Sequence, residues 1–408
     1  MNHDALYEKF KQQAHAMAGD ISAWRRHFHA NPEVSYKEVN TSAFVAEKLK
    51  EFGYGDVRVG FGPVETGVAT DLGSGGALVA LRGDMDALPI NEEADVPCKS
   101  TAAGVMHACG HDAHTAVLLA VAKLLKDAEA DLPGRVRFIF QPGEETRVTH
   151  FEKPLSGASY VIRSGAMDGV DAVFGMHVWG MFEAGKVFVK EGPTMMASGR
   201  FNLKVIGKGT HGASPHLGHD PIVAACQVVN ALQTVVSREI SPIEPGLITI
   251  GTIHGGTATN IIPAEVELSG TIRAAWEDVV RFMGQRIGEV AKNVAEAHRC
   301  TTEYTLLING PAVVNDAGMV KVVRKGAEKI VGHDRVCDVD MLTGSEDFRE
   351  YSARFPSALY FMGMLDESKG VGQAQHDPAF RVNDDVLADA AAVMAAIAVH
   401  YLEEKAKE

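Results

Sequence analysis

Three short apolar runs, ALVALRGDMDALP (77–89), RVRFIFQPGEE (135–145) and VDAVFGMHVWG (170–180), each stop abruptly at polar, chemically useful residues. Between the first two lies HTAVLLAVAKLLKD (114–127), apolar at helical spacing, followed by the turn LPG. A strand, a helix and a second strand in that order call for a parallel sheet with a crossover helix, and such sheets gather ligands at the carboxyl ends of their strands. Asp84, Asp86, Glu144, Glu145 and His177 should therefore share one edge.

At 408 residues the chain is too long for one compact core, which favours two domains with one inserted in the other. From about residue 191 the pattern changes. Strands are expected in RFNLKVIG, GLITIGTIHGG, AEVELSGTIRA and TTEYTLLI, with one helix opened by Asp220 and Pro221 and another from Trp276 to about His298. The order β-α-β-β-α-β is that of a ferredoxin-like split unit. The predicted class is α/β: a mixed, largely parallel catalytic sheet flanked by helices, covering 1–190 and 309–408, with an inserted ferredoxin-like α+β domain at 191–308.

The balance of 39 basic against 53 acidic residues, net charge -14, argues against a nucleic-acid partner and for a small molecule. The opening MNHDALYEKFKQQAHAMAGD has no basic start leading into an apolar run and reads as a surface helix, not a secretion signal. ADAAAVMAAIAVHYL (388–402), interrupted by Asp389 and His400 and shorter than a membrane span of about 20 residues, reads as a packing helix, so no membrane partner is expected. The 5 cysteines, odd in number and without a CxxC pair, suit a reducing compartment, by default the cytoplasm.

GVMHACGHDAHTA (104–116) puts His107, Cys109, His111 and His114 within one short stretch. Thiolate and imidazole are ligands that zinc and similar ions prefer, and carboxylates complete mixed sites. Taken alone, Cys109 fits a small buried hydrophobe equally well. Glu144 and Glu145 leave a strand end as neighbours whose side chains diverge, so one can bind metal while the other shuttles the proton of an activated water. An isolated acidic pair is usually a solvated turn, His177 alone a core histidine, and His376 a loop residue; their joint presence makes the metal argument. HExxH and GxSxG are missing from the sequence. GKGTHG (207–212) fits GxGxxG, but Pro215 interrupts the approach to the helix and the first acid at a plausible distance, Glu239, lies too far on for a dinucleotide site.

RGDMDALP, GVMHACGHDAHTA, QPGEE, GMHVWG, GKGTHGASPH, GGTATNIIP, SGTIRA and GSEDF, in order from about residue 20 to the carboxyl terminus, resemble the dinuclear metallo-amidohydrolases. That family includes hippurate hydrolase, bacterial N-acyl-amino-acid hydrolases and hydrolases of indole-acetyl amino acid conjugates, relatives of aminoacylase and glutamate-type carboxypeptidases. The resemblance implies two divalent metal ions per subunit, zinc on grounds of thiolate softness or manganese, with cobalt and nickel permitted. It implies an inserted domain acting as lid and dimerisation surface, and a homodimer or higher homo-oligomer. Cys109, His111, Glu145, His177 and His376 match the metal ligands, with Cys109 bridging. Glu144 matches the general base, and Asp86 the aspartate that orients the site from behind. His211 matches the histidine that polarises the scissile carbonyl, and Asn260 and Arg273 match positions near the substrate carboxylate. Asp84 stands where the carboxypeptidase relatives have a histidine ligand and is left out of the set, His111 filling that place; His107 and His114 flank the ligands in supporting positions.

The implied substrate is an N-acyl amino acid, with a dipeptidase or aminopeptidase as the alternative; a nicotinamide-dependent oxidoreductase and a non-catalytic metal-binding scaffold are the readings from other classes. EETRVTHFEKPLSGA (144–158) is more charged and bulkier than the small, glycine-rich continuation expected after the paired glutamates, which bears on the acyl pocket.

Overall fold

The computed structural model describes residues 3–148 and 154–408. The chain forms two compact units: one runs to Gly192 and includes Val314–Asp340 and Glu346–Glu408, the other is Pro193–Val313 with Met341–Ser345. On sequence that last short segment belonged with the returning part of the catalytic domain. It groups with the second unit because the Leu342 amide bonds Thr194 O (2.9 Å) and the Met196 amide bonds Gly344 O (2.9 Å).

In the first unit an eight-stranded sheet runs in the order Val57–Phe61, Val64–Gly73, Arg135–Gln141, Leu78–Asp84, Ala172–Glu183, Ser357–Leu365, Val187–Phe188, Val336–Cys337. The four strands from Arg135–Gln141 to Ser357–Leu365 are mutually parallel, and the first two are antiparallel. Leu78–Asp84 is buried at every position, as a central strand covered on both faces must be. Its crossover to Arg135–Gln141 passes through the helix His111–Lys126, which packs closely over Gly83, where a Cβ would sit 3.2 Å from His114 O.

The carboxyl-terminal helix Leu387–Lys405 is nearly all buried. With the short turn before it, the stretch Asp384–Lys405 has 22 residues and is long and apolar enough to cross a membrane, longer than the sequence suggested. Yet 83% of its most apolar window is buried within the protein, and Asp389 is paired with His15 at 2.8 Å. The amino-terminal helix His3–Ala16 is more than a surface feature, since it packs Leu6, Tyr7, Phe10 and Ala14 into the same core.

The second unit has a four-stranded antiparallel sheet in the order Gly246–Gly255, Glu265–Ala274, Ala197–Ile206, Thr301–Gly310. Helices Pro221–Glu239 and Glu277–Ala297 complete the split β-α-β-β-α-β arrangement. Asp220 caps the first helix by accepting the amides of Ile222 (2.9 Å) and Val223 (3.3 Å), with Pro221 supplying the first helical position.

Candidate metal centre

The centre is built where the His111–Lys126 helix begins. Gly110 precedes that helix with φ 87, and a Cβ there would lie 2.3 Å from Val178 Cγ2. Only glycine tolerates both demands, and it lets the chain turn so that Cys109 and His111 flank the same point. His111 Nδ1 lies 2.9 Å from Asp86 O and 3.2 Å from Asp86 Oδ1, so the proton sits on that nitrogen while the buried Nε2 has no hydrogen-bond partner. His177 repeats the device: Nδ1 bonds Val178 O at 2.6 Å and Nε2 turns to within 3.4 Å of Cys109 Sγ. Sheet register places it there, because Arg82 pairs with Gly175 and His177 therefore stands level with Asp84 at the strand end.

Glu145 donates its amide to Asp86 Oδ2 at 3.0 Å, and its Oε1 lies 3.0 Å from His376 Nε2 without hydrogen-bonding alignment. His376 adopts φ 68, unusual for a residue with a side chain, and its amide bonds Ala108 O at 2.8 Å. Donor atoms of Cys109, His111 and His177 lie within 4.8 Å of one another, as do those of Cys109, Glu145 and His376, and those of His111, Glu144 and Glu145. Cys109 belongs to two of these groups. Orphaned buried atoms facing one another, His111 Nε2 and Glu145 Oε1 beside a thiol, are what a metal site looks like before the ion is counted, and the donor chemistry fits zinc or manganese.

Burial, reinforced by the Glu145 carboxylate, pushes the Cys109 thiol well above its ordinary range, so a cation is needed for it to ionise. Burial and then His114 push His177 well down, keeping the imidazole neutral as a ligand must be. Burial, with Glu346, Glu145 and Asp347 adding negative charge, pushes Glu144 well above the usual carboxylate range. Its Oε1 accepts the Asp347 amide at 2.9 Å, leaving Oε2 outside that bond.

Asp84 has one oxygen on Arg82 Nη1 and the other on His114 Nδ1, both at 2.5 Å. His114 Nε2 accepts the Val178 amide at 2.9 Å, so both of its ring nitrogens are engaged. These two residues brace the centre, although their atoms also group with His111. His107 is buried with neither ring nitrogen hydrogen-bonded, and burial pushes its pKa down to about 4.

Sequence reasoning assigned no role to the group behind Glu144. Buried Arg82 donates to Gln141 Oε1, Glu346 Oε1 and Asp347 Oδ1, each at 2.9 Å. Asp347 Oδ2 also accepts the Ala158 amide at 2.9 Å. The adjacent acids of GSEDF were the available signal. Of the segment 144–158 that departs from the expected pattern, residues 149–153 lie outside the described residues.

In the second unit, His211 sits on a two-residue strand opposite Ile261, and the Gly212 amide bonds Asn260 O at 2.7 Å, so His211 and Asn260 are neighbours. The Ala213 amide donates to His211 Nδ1 at 3.1 Å. Arg273 is not brought to them: it stands near the other end of the Glu265–Ala274 strand, half-buried, donating to Thr343 O at 3.0 Å. Burial and the neighbouring Arg200 lower its pKa, so an anion would be welcome there.

Residues 80–400 match the model of peptidase family M20/M25/M40. The chain is 41% identical over 310 residues to the N-acyl-L-amino acid amidohydrolase of Geobacillus stearothermophilus, covering 76% of this chain and 81% of that protein. It is 38% identical over 398 residues to thermostable carboxypeptidase 1 of Saccharolobus solfataricus, covering 97% and 99%. A solved Bacillus subtilis structure, described as a dinuclear metal binding peptidase from the M20 family, aligns with a TM-score of 0.80 at 31% identity over 95% of this chain and 99% of that one. Fold and site together define a metal-dependent hydrolase with a mixed α/β catalytic sheet. The chain belongs to peptidase family M20/M25/M40.

Proposed function

We propose that this protein hydrolyses the amide bond of N-acyl-L-amino acids, giving a carboxylic acid and a free amino acid. The observation that carries the reading is the division within one carboxylate pair: Glu145 lies among the Cys109 and His376 donors, while Glu144 is held by one oxygen on the Asp347 amide. Cys109, His111, Glu145, His177 and His376 would hold two divalent ions, with Cys109 shared; thiolate softness favours zinc, and manganese, cobalt or nickel suit the remaining donors. Such ions supply a Lewis acid that acidifies water and polarises the amide carbonyl. Glu144 takes a proton at Oε2 and returns it to the leaving nitrogen. Asp86 and the Val178 carbonyl fix the tautomers of His111 and His177 so that each presents Nε2.

From the second unit we assign His211 to polarising the scissile carbonyl and Asn260 beside it to the substrate carboxylate; Arg273, which stands apart from that pair within one chain, is assigned to a carboxylate on its own chemistry, since a guanidinium can bind one with two parallel hydrogen bonds. That unit serves as lid and dimerisation surface in a homodimer, and the free cysteines suit the cytoplasm. The identity to the amidohydrolase relative supports an acyl substrate. The identity to the carboxypeptidase relative supports a second reading, cleavage of peptides by the same machinery. The test is release of free amino acid from N-acetyl, N-benzoyl and longer N-acyl amino acids beside dipeptides, using metal-stripped protein with and without zinc or manganese. Metal-dependent cleavage of acyl substrates is expected; preference for dipeptides would make it a peptidase, and no cleavage with any metal would return it to a scaffold.

A further inference from the structure

Ser35, Tyr36 and Glu38 have no part in the chemistry above, yet all three reach the structure that carries Glu144 and Glu145. Ser35 Oγ donates to Asp86 Oδ2 at 2.6 Å, the same oxygen that accepts the Glu145 amide. Glu38, wholly buried, accepts the Gly143 amide on Oε1 and the Thr66 hydroxyl on Oε2, both at 2.8 Å. The Tyr36 hydroxyl lies 2.8 Å from Thr146 O, 3.0 Å from Leu155 O and 3.3 Å from Gly143 O.

A tyrosine hydroxyl has one proton and can satisfy one of these carbonyls at a time. Two of the three are already served, since Gly143 O accepts the Gly157 amide at 2.9 Å and Leu155 O the Val148 amide at 3.1 Å, so the proton is left for Thr146 O, the nearest of them. The hydroxyl therefore adds a tie to Thr146, the residue directly after Glu145, which those two amide bonds do not reach. The backbone bears out how specific the arrangement is. Tyr36 adopts φ 64, a left-handed conformation that a residue with a side chain takes only when its surroundings impose it. Its ring occupies the space beside Gly143 (φ 61), where a Cβ would come within 2.4 Å of the ring. The glycine is therefore required by the tyrosine as well as by its own turn.

We propose that Tyr36, with Glu38, is a positioning residue that pins Gly143–Thr146 and so keeps Glu144 and Glu145 in place beside the Cys109 and His111 donors. Its effect on turnover rests on the amidohydrolase reading; its effect on metal retention does not. The test compares Tyr36→Phe with Tyr54→Phe in the full-length protein. Tyr54 also loses a hydroxyl bonded to a carbonyl, Ala122 O at 2.9 Å, but on a buried helix away from this loop. With zinc-loaded protein, Tyr36→Phe is expected to release zinc to a chelator several-fold faster than wild type. On the best acyl substrate its kcat should fall about tenfold or more, since a displacement near 1 Å can cost about 10²-fold. KM should stay within about twofold, because a general base acts in the transition state and not in substrate binding. Tyr54→Phe should lower Tm while leaving zinc release and kcat at wild-type values. If Tyr36→Phe behaves like Tyr54→Phe in both assays, the clamp is overturned. If wild type cleaves no acyl substrate, the functional reading fails, and the zinc-release comparison alone decides the clamp.

Discussion

A carboxyl group proposed to take up a proton and give it back works best with one oxygen held, and Glu144 Oε1 is held by the Asp347 amide at 2.9 Å. Replacing it by Gln keeps the shape and an acceptor for the Asp347 amide but removes the basic oxygen. The rate should fall on the order of 10²–10⁴, the usual worth of a positioned acid-base group, with metal content unchanged. Near-normal turnover in metal-replete Glu144→Gln would take the role away from it. His29 makes a different residue-scale prediction. Its Nδ1 lies 2.8 Å from Asp112 and its Nε2 3.1 Å from Glu92. Burial alone would lower its pKa, but Asp112 and Glu92 overcome that and raise it from 6.5 to about 10, so the ring is an imidazolium at neutral pH. Because the folded value lies above the unfolded one, this stabilisation is complete below about pH 6.5 and is lost as pH rises towards about 10. Tm should therefore decline across that window in wild type and much less in His29→Gln. The variant should also be about 1–3 kcal/mol less stable at neutral pH, since Asp112 loses its hydrogen-bonded imidazolium and keeps only Arg25 Nη1, 3.7 Å away. An equally steep decline in the variant would assign the pH dependence to other groups.

Between elements, the key joint is the one that starts the His111–Lys126 helix. A methyl at Gly110 would collide with Val178 on the neighbouring strand and also meet the left-handed backbone. Gly110→Ala is expected to cost about 1–3 kcal/mol and to weaken metal binding, because Cys109 and His111 sit on either side of the shifted turn. Thermal melts together with a chelator competition would check this; lost stability with unchanged metal affinity would show that the turn can relax without moving its neighbours. This is also the scale at which the sequence was most readable. Leu78–Asp84, Arg135–Gln141 and the four strands of the inserted unit announce themselves through local apolar runs, and Asp220 with Pro221 marks a helix start by chemistry confined to a few residues. The clustering of Cys109 and His111 was equally local. What stayed hidden depends on partners far apart in the chain: Arg82 meets Glu346, 264 residues on, and Tyr36 meets Thr146, 110 residues on. No periodicity encodes those meetings, which arise only when the sheet brings its strand ends together. Similarly, the two bonds of His114 could not be inferred from its place in a histidine-rich run, because Asp84 and the Val178 amide reach it from neighbouring strands.

Across the whole molecule, the proposed ligands Cys109, His111, Glu145, His177 and His376 all belong to the first unit, while Pro193–Val313 contributes none. Metal that binds the folded state alone stabilises whatever unfolds to release it, by about 2.7 kcal/mol at a hundredfold excess over Kd. That linkage should be confined to one unit. Stripping the metal is expected to speed amide hydrogen exchange in the segments that build the centre, above all Leu78–Asp84, His111–Lys126 and Ala172–Glu183, whose slowest amides open only with the core around the ions. The strands Ala197–Ile206 and Glu265–Ala274, with a core of their own, should exchange at the same rate with and without metal. Peptide-resolved exchange on holo and metal-free protein separates the outcomes. Acceleration restricted to the first unit would mean that the ions hold together only the sheet that bears them, whereas equal acceleration in both would make the two units one cooperative body in which metal loss is felt throughout.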